Sequence, residues 1–139
     1  MTPYRHKVQY YESDQMGIVH HSNYVRWMEE ARVHFLEEID WGYEKLETYG
    51  IVSPVTTITC SYKISTRFPE WITVYVHVEE FKGVRLKLKY EMFNEKNEMV
   101  FEGRSEHCFT NEKGQIVRLK NQFPALHELL SSLADKENA

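Results

Sequence analysis

Residues Tyr10–Arg32 read YYESDQMGIVHHSNYVRWMEEAR, and the change of character midway through this run decides the fold. Its first half is a polar loop carrying Asp14, Gly17 and the pair His20-His21. In its second half Tyr24, Trp27, Met28 and Ala31, continued by Phe35, Leu36 and Ile39, recur at three- and four-residue intervals. Arg26, Glu29, Glu30, Arg32, Glu37 and Glu38 fall elsewhere around the cylinder, so the spacing predicts a helix from Ser22 to Glu38 with one apolar stripe and wet remaining faces. Ser22 or Asn23 supplies the start signal, since either side chain accepts a hydrogen bond from an unpaired N–H of the first turn. Asp40-Trp41-Gly42 ends it, with Gly42 free to take the left-handed conformation that closes helices. The polar loop therefore runs into the positive end of a helix dipole.

Outward from this run the period changes from helix to strand. Tyr4–Tyr10 reads as a strand, and Tyr43–Tyr49 as a short second helix stopped at Gly50. From Val52 to Ile64 β-branched and polar residues alternate, predicting a long strand; Ile72–Glu79, Val84–Met92 and Met99–Thr110 repeat the pattern, each with one oily face. Lys82-Gly83 and Asn94-Glu95-Lys96-Asn97 make short turns, which join antiparallel neighbours. An antiparallel sheet with one apolar face and one long striped helix must lay that helix across the sheet, an α+β arrangement in a single domain over 1–139. Gly103 marks the expected close approach of the helix backbone. Pro124, Leu126, Leu129, Leu130 and Leu133 predict a C-terminal helix within 121–139, with Asp135-Lys136-Glu137-Asn138 fraying.

Composition removes several function classes. A chain of 139 residues, 42% hydrophobic and 14% aromatic, is long enough for one proper core. A net charge of −4 without a basic stripe argues against a nucleic-acid surface. No 18-residue apolar run is present and the amino terminus is charged, so a soluble cytoplasmic protein without a membrane span is expected. Cys60 and Cys108 lack CxxC spacing and read as reduced thiols. Arg85, Lys87 and Lys89 are expected to pair weakly across strands with Glu102 and Glu106 around Arg104.

A lone loop aspartate most often caps a turn. Asp14 has a second reading because Gly17 shares its loop and a helix amino terminus follows: unpaired N–H groups there hold a developing oxyanion, and a carboxylate facing them suits acyl transfer to water. A metal site on His20-His21 is not expected, because adjacent loop residues rarely converge on one ion and no His-Glu-x-x-His or Cys cluster accompanies them.

Asp14, Gly17, Val19, His21, Asn23 and Tyr24, followed by Glu29, Ala31 and Arg32, form the pattern D-x-x-G-x-V-x-H-x-N-Y with a later E-x-A-R. This resembles the hotdog-fold acyl-CoA thioesterases of the 4-hydroxybenzoyl-CoA thioesterase type, and the likeness continues through Trp41-Gly42-Tyr43, Gly50-Ile51 and Tyr62–Val74. The resemblance implies a sheet of about five strands wrapped around one central helix. It implies Asp14 as the catalytic carboxylate, the His21 N–H polarising the thioester carbonyl and its ring positioning water or the acyl group. Gly17, Val19, Asn23 and Tyr24 then belong to the oxyanion and active-site loop, and His20 to the pocket wall.

Other hotdog thioesterases carry their acid on the helix, which makes Glu29 the second candidate; an ordinary ion pair of Glu29 with Arg32 or Arg26 is favoured over that role. The segment Ile64–Glu70 departs from the family while keeping an arginine, so coenzyme A contacts fall to scattered cations, Arg67, Arg85 or Arg104. The resemblance implies a homo-oligomer, a dimer or tetramer with sites at the subunit boundary, acting on acyl-CoA without cofactor or metal. A non-hydrolytic binder of acyl-CoA or acyl carrier protein is the alternative. A hotdog dehydratase is disfavoured, because Asp14 sits in the loop before the helix without the His-plus-acid pair of that kind.

Overall fold

The computed structural model of the chain describes residues 2–137. In chain order it contains β1 (Tyr4–Lys7), a single 3-10 turn (Tyr10–Glu12), α1 (Ser22–Glu38), α2 (Tyr43–Thr48) and β2 (Val55–Tyr62). These are followed by β3 (Trp71–Phe81), β4 (Arg85–Phe93), β5 (Met99–Cys108), α3 (Leu119–Gln122) and α4 (Pro124–Glu137). The strands form one antiparallel sheet in the order β1-β3-β4-β5-β2.

The alternation in the strands explains the layering. Ile72, Val74 and Val78 on β3 and Leu86, Leu88, Tyr90 and Met92 on β4 turn one buried face to α1. Helix α1 answers with Tyr24, Trp27, Met28, Ala31, Phe35 and Leu36, of which Trp27, Met28 and Ala31 have no exposed surface. Burial of each large side chain is worth about 1.5–3 kcal/mol, so the stripe anchors the helix far more firmly than its propensity. Helix α4 adds Leu126, Leu130 and Ala134 to the same core.

Several expectations are corrected. Arg32 is buried rather than wet, 6% exposed. The residue with left-handed backbone after α1 is Asp40, φ 65°, while Gly42 at φ −60° starts α2. Neither Ser22 nor Asn23 caps α1; Ser22 lies inside the first turn and its N–H donates to His20 Nδ1 at 3.2 Å. Gly103 faces Phe101 and β2 rather than the helix: a Cβ there would lie 2.7 Å from Phe101 Cε1 and 3.0 Å from the Thr59 carbonyl oxygen. The first strand stops at Lys7, because Glu12 draws the chain into a turn by accepting from the Gln9 N–H at 2.7 Å. The second begins at Val55, Val52 making only an isolated bridge to Thr110. Lys87 stands opposite Glu106, but the ion pairs run Lys87–Glu80 and Arg104–Glu79 and –Glu102. Of the tail expected to fray, Asp135–Glu137 stay helical and the Glu137 carboxylate accepts from His77 Nδ1 at 3.0 Å, while Asn138 lies outside the described residues.

Candidate active site

The loop before α1 is shaped by short-range bonds that its sequence supplies. Asp14 Oδ1 accepts the Met16 N–H at 2.8 Å, Gly17 N–H donates to the Asp14 carbonyl at 3.0 Å, and Asp14 N–H donates to Ile18 O at 2.8 Å. Gly17 sits at φ +76°, which a side chain would strain, and a bridge between Ser13 and Val19 closes the loop. Asp14 thus caps a turn through one oxygen, and its second oxygen has no protein partner among the described residues.

Beyond this turn the chain is pinned from both sides. The Val19 N–H donates to Thr66 O at 2.9 Å and the His20 N–H to Glu12 O at 2.9 Å. The His21 N–H, next in line, has no acceptor among the described residues, so the free donor expected at the helix start is present. Tyr62 Oη donates to the His21 carbonyl at 3.2 Å, and the His20 and His21 rings stack with centroids 4.2 Å apart. Burial, with a smaller contribution from Cys60, pushes the Tyr62 phenol up to about 12, so it acts as a donor at neutral pH.

Asp14, Val19, His21 and Tyr24 meet Tyr62 and Ile64 around one open crevice of about 260 Å³. Tyr24 is its floor: buried, stacked on Phe101 at 5.1 Å and hydrogen-bonded to Thr66 Oγ1 at 2.7 Å, with burial raising its pKa against the opposing Thr66 bond. Asn23 does not line the crevice; its Nδ2 donates to Glu12 O at 2.9 Å and His20 O at 3.3 Å, holding the loop. Gly17 shapes the turn from behind, where Arg67 Nη1 donates to its carbonyl at 3.3 Å.

Glu29 is exposed, away from the crevice, and makes neither expected ion pair. Arg26 binds Ser22 and Asn23 instead, and Arg32 turns inward to Tyr43 and Tyr90. Arg104 is occupied by Glu79 and Glu102, whose hydrogen bonds keep its guanidinium firmly charged. Arg85 pairs with Cys108 in register whereas Tyr62 pairs with Phe101, which puts it about 23 Å along the sheet from the crevice.

Three contributors escaped the sequence reading. Glu12, 4% exposed, accepts from Gln9 N–H at 2.7 Å and Trp27 Nε1 at 2.7 Å and bonds His6 Nε2 at 2.9 Å. A Glu three residues after Gln9, ahead of a helix with a buried indole, was the available signal. Thr66 carries no exposed surface and holds both Val19 and Tyr24. Lys63 brings a cation to the crevice wall.

The resemblance extends to known proteins. In sequence the chain is similar to YneP of Bacillus subtilis (strain 168), whose name is provisionally that of an acyl-CoA thioesterase; they are 33% identical over 122 residues, 87% of this chain and 88% of YneP. Among solved structures it is similar to a DHNA-CoA thioesterase from Staphylococcus aureus, with a TM-score of 0.93, 34% identity, and coverage of 99% of this chain and 93% of that one. It is also similar to the BH1999 gentisyl-coenzyme A thioesterase, with a TM-score of 0.78, 25% identity and coverage of 84% and 94%. These likenesses confirm the hotdog fold expected from the Tyr10–Arg32 run. With residues 8–131 matching its family pattern, the chain belongs to the thioesterase-like superfamily.

Proposed function

We propose that this protein hydrolyses acyl-CoA thioesters in the Asp14 crevice, with Asp14 as nucleophile or general base and the His21 N–H as oxyanion donor. One observation carries the reading: a carboxylate with one oxygen held by the Met16 N–H and the other free lines the same crevice as an unused N–H at the start of α1. In the covalent route the free oxygen of Asp14 attacks the thioester carbon, the C–S bond breaks, coenzyme A leaves as the thiolate, and water cleaves the anhydride. In the general-base route Asp14 takes a proton from water as the water oxygen attacks the thioester carbon, the C–S bond then breaks and coenzyme A leaves as the thiolate. In both, negative charge grows on the thioester oxygen, where a fixed N–H backed by a helix dipole stabilises it.

The Tyr24 and Tyr62 rings at the floor and wall support an aryl acyl group, the class named for the DHNA-CoA and gentisyl-coenzyme A relatives. Lys63 on the crevice wall, with Arg67 behind the Gly17 turn, supplies the cations of one protomer for coenzyme A phosphates.

Strand β2 has a neighbour on one side only, and Val55 and Tyr62 on it are 41% and 48% exposed. Antiparallel pairing of β2 with its own copy satisfies that edge, closes the crevice beside Tyr62 and brings the Val55 end of the second copy alongside. Arg85 of that copy then stands three strand spacings away, about 14 Å, which gives it a route to the substrate that a single protomer denies it. We therefore assign a homodimer, or a tetramer of dimers, as the active form. The free thiols of Cys60 and Cys108 support a reducing compartment such as the cytoplasm, and no helix among the described residues is long and apolar enough to cross a membrane.

Thiol release from benzoyl-CoA and octanoyl-CoA, followed with a disulfide chromophore, tests the activity. Turnover with preference for the aryl substrate is expected. Tight binding of both without thiol release would make the protein an acyl-CoA binder.

A further inference from the structure

Three aromatic rings close the inner end of the Asp14 crevice. Tyr24 and Tyr62, which line it, meet edge to face with centroids 5.2 Å apart. Phe101, with no exposed surface, lies beneath both, stacked on Tyr24 at 5.1 Å and edge-on to Tyr62 at 5.4 Å. Gly103 seats that ring from two residues further along the same face of β5. A Cβ at Gly103 would stand 2.7 Å from Cε1 and 2.9 Å from Cζ of Phe101, so the ring occupies the space that a side chain there would fill.

The space under the rings suits apolar atoms. The polar atoms of its walls are already satisfied, Tyr24 Oη by Thr66 Oγ1 at 2.7 Å and Trp27 Nε1 by Glu12 Oε2 at 2.7 Å, and Met92 stands in register with Phe101 on the neighbouring strand. Tyr24 is pinned by its burial and its Thr66 bond, whereas Tyr62 is 48% exposed and tied by one bond to the His21 carbonyl. Phe101 is the innermost ring of the three, and the two that line the crevice rest on it. Were it absent, its volume would pass to the crevice, either directly or through Tyr62 turning inward and vacating its own place.

Resting on the acyl-CoA reading of the crevice, we propose that Phe101 sets the length of acyl group the site accepts. Its ring stops the crevice at the depth of one aryl ring or a short chain. A longer chain has to bend back toward solvent with its outer methylenes wet, and so gains little over a short one.

Binding of butyl-CoA and octyl-CoA thioethers to the intact protein tests it. Neither analogue can be hydrolysed, so the readout holds even for a chain that binds acyl-CoA without cleaving it. In the parent the two dissociation constants should agree within about threefold, because the extra methylenes stay in water. Burying one methylene strengthens binding about fourfold, so the octyl preference should rise about tenfold or more in Phe101→Ala and about fourfold in Phe101→Leu. Leu keeps most of the buried apolar volume and is the variant to read where Ala does not fold. Folded variants whose preference stays within about twofold of the parent's would overturn the proposal. Crystals of the unaltered protein with octyl-CoA give a reading free of any variant: a tail bending outward above the Phe101 ring is expected. A tail running past that ring toward Trp27 and Met92 would overturn the proposal. Failure of the parent to bind either analogue would overturn the acyl-CoA reading with it, whereas an unchanged preference in the variants removes the length limit alone.

Discussion

Glu12→Ala tests whether the loop before α1 is held by this buried carboxylate. The Glu12 side chain is the acceptor for Gln9 N–H at 2.7 Å and Trp27 Nε1 at 2.7 Å and bonds His6 Nε2 at 2.9 Å, in a position 4% exposed. Trp27 itself has no exposed surface, so its indole N–H has no water to turn to. Leaving one buried donor unsatisfied costs about 1–3 kcal/mol, and two such donors plus the lost packing put the change near 3–5 kcal/mol. Glu12→Gln keeps the volume but sets an amide N–H against one of the donors, which lowers the cost to about 1–3 kcal/mol. At roughly 3 °C per kcal/mol, thermal melts should fall by about 10 °C or more for Ala and about 3–9 °C for Gln. Because the Glu12 carbonyl also receives the His20 N–H and Asn23 Nδ2, the displaced backbone should lower kcat in the Gln variant below the melting range, with KM changing less. A Glu12→Ala protein that melts within about 1 °C of the parent, with unchanged kcat, would refute the brace.

The remaining predictions concern the core and the crevice. Burial first, and the Arg32 charge second, hold His107 down at about 4 from 6.5, with the Ser53 backbone opposing, so the folded protein binds fewer protons than the unfolded chain between those values. Stability is therefore full above pH 6.5 and falls as pH drops toward 4, by about 3 kcal/mol in total, and denaturant titrations of His107→Phe should show that part of the slope missing. Gly103→Ala puts a Cβ 2.7 Å from Cε1 of Phe101, the ring stacked on Tyr24 at the crevice floor, and 3.0 Å from the Thr59 carbonyl oxygen; a loss of about 1–3 kcal/mol in urea unfolding is expected. Tyr62→Phe removes the bond to the His21 carbonyl at 3.2 Å and should lower kcat about three- to tenfold while melting stays within about 2 °C.

What the sequence disclosed was what repeats. The stripe from Tyr24 to Leu36 gave α1 its bounds of Ser22 and Glu38, and alternation gave β3, β4 and β5 within two or three residues. The hidden features depend on partners far off in the chain. Arg32 sits where a helical wheel predicts water, yet Tyr43 and Tyr90 draw it inside. Gly42 was the better helix terminator by propensity, but Asp40 takes the left-handed position and Gly42 opens α2. In the candidate site, Asp14 and the helix start were legible because loop, glycine and helix are contiguous, whereas His21 came from the family resemblance. Glu12 and Thr66 were not legible, because their roles come from Trp27 and His6 in one case and from Val19 and Tyr24 in the other.

Asp14→Asn probes the central claim most directly, since the amide oxygen still accepts the Met16 N–H at the same 2.8 Å position and the turn survives while the charge goes. Single-turnover thiol release from an acyl-CoA that the parent protein hydrolyses, measured beside a melting curve, should show a rate about a hundredfold or more below the parent with melting unchanged within about 2 °C. A folded Asp14→Asn protein turning over within about threefold of the parent would contradict the assignment of the chemistry to this carboxylate.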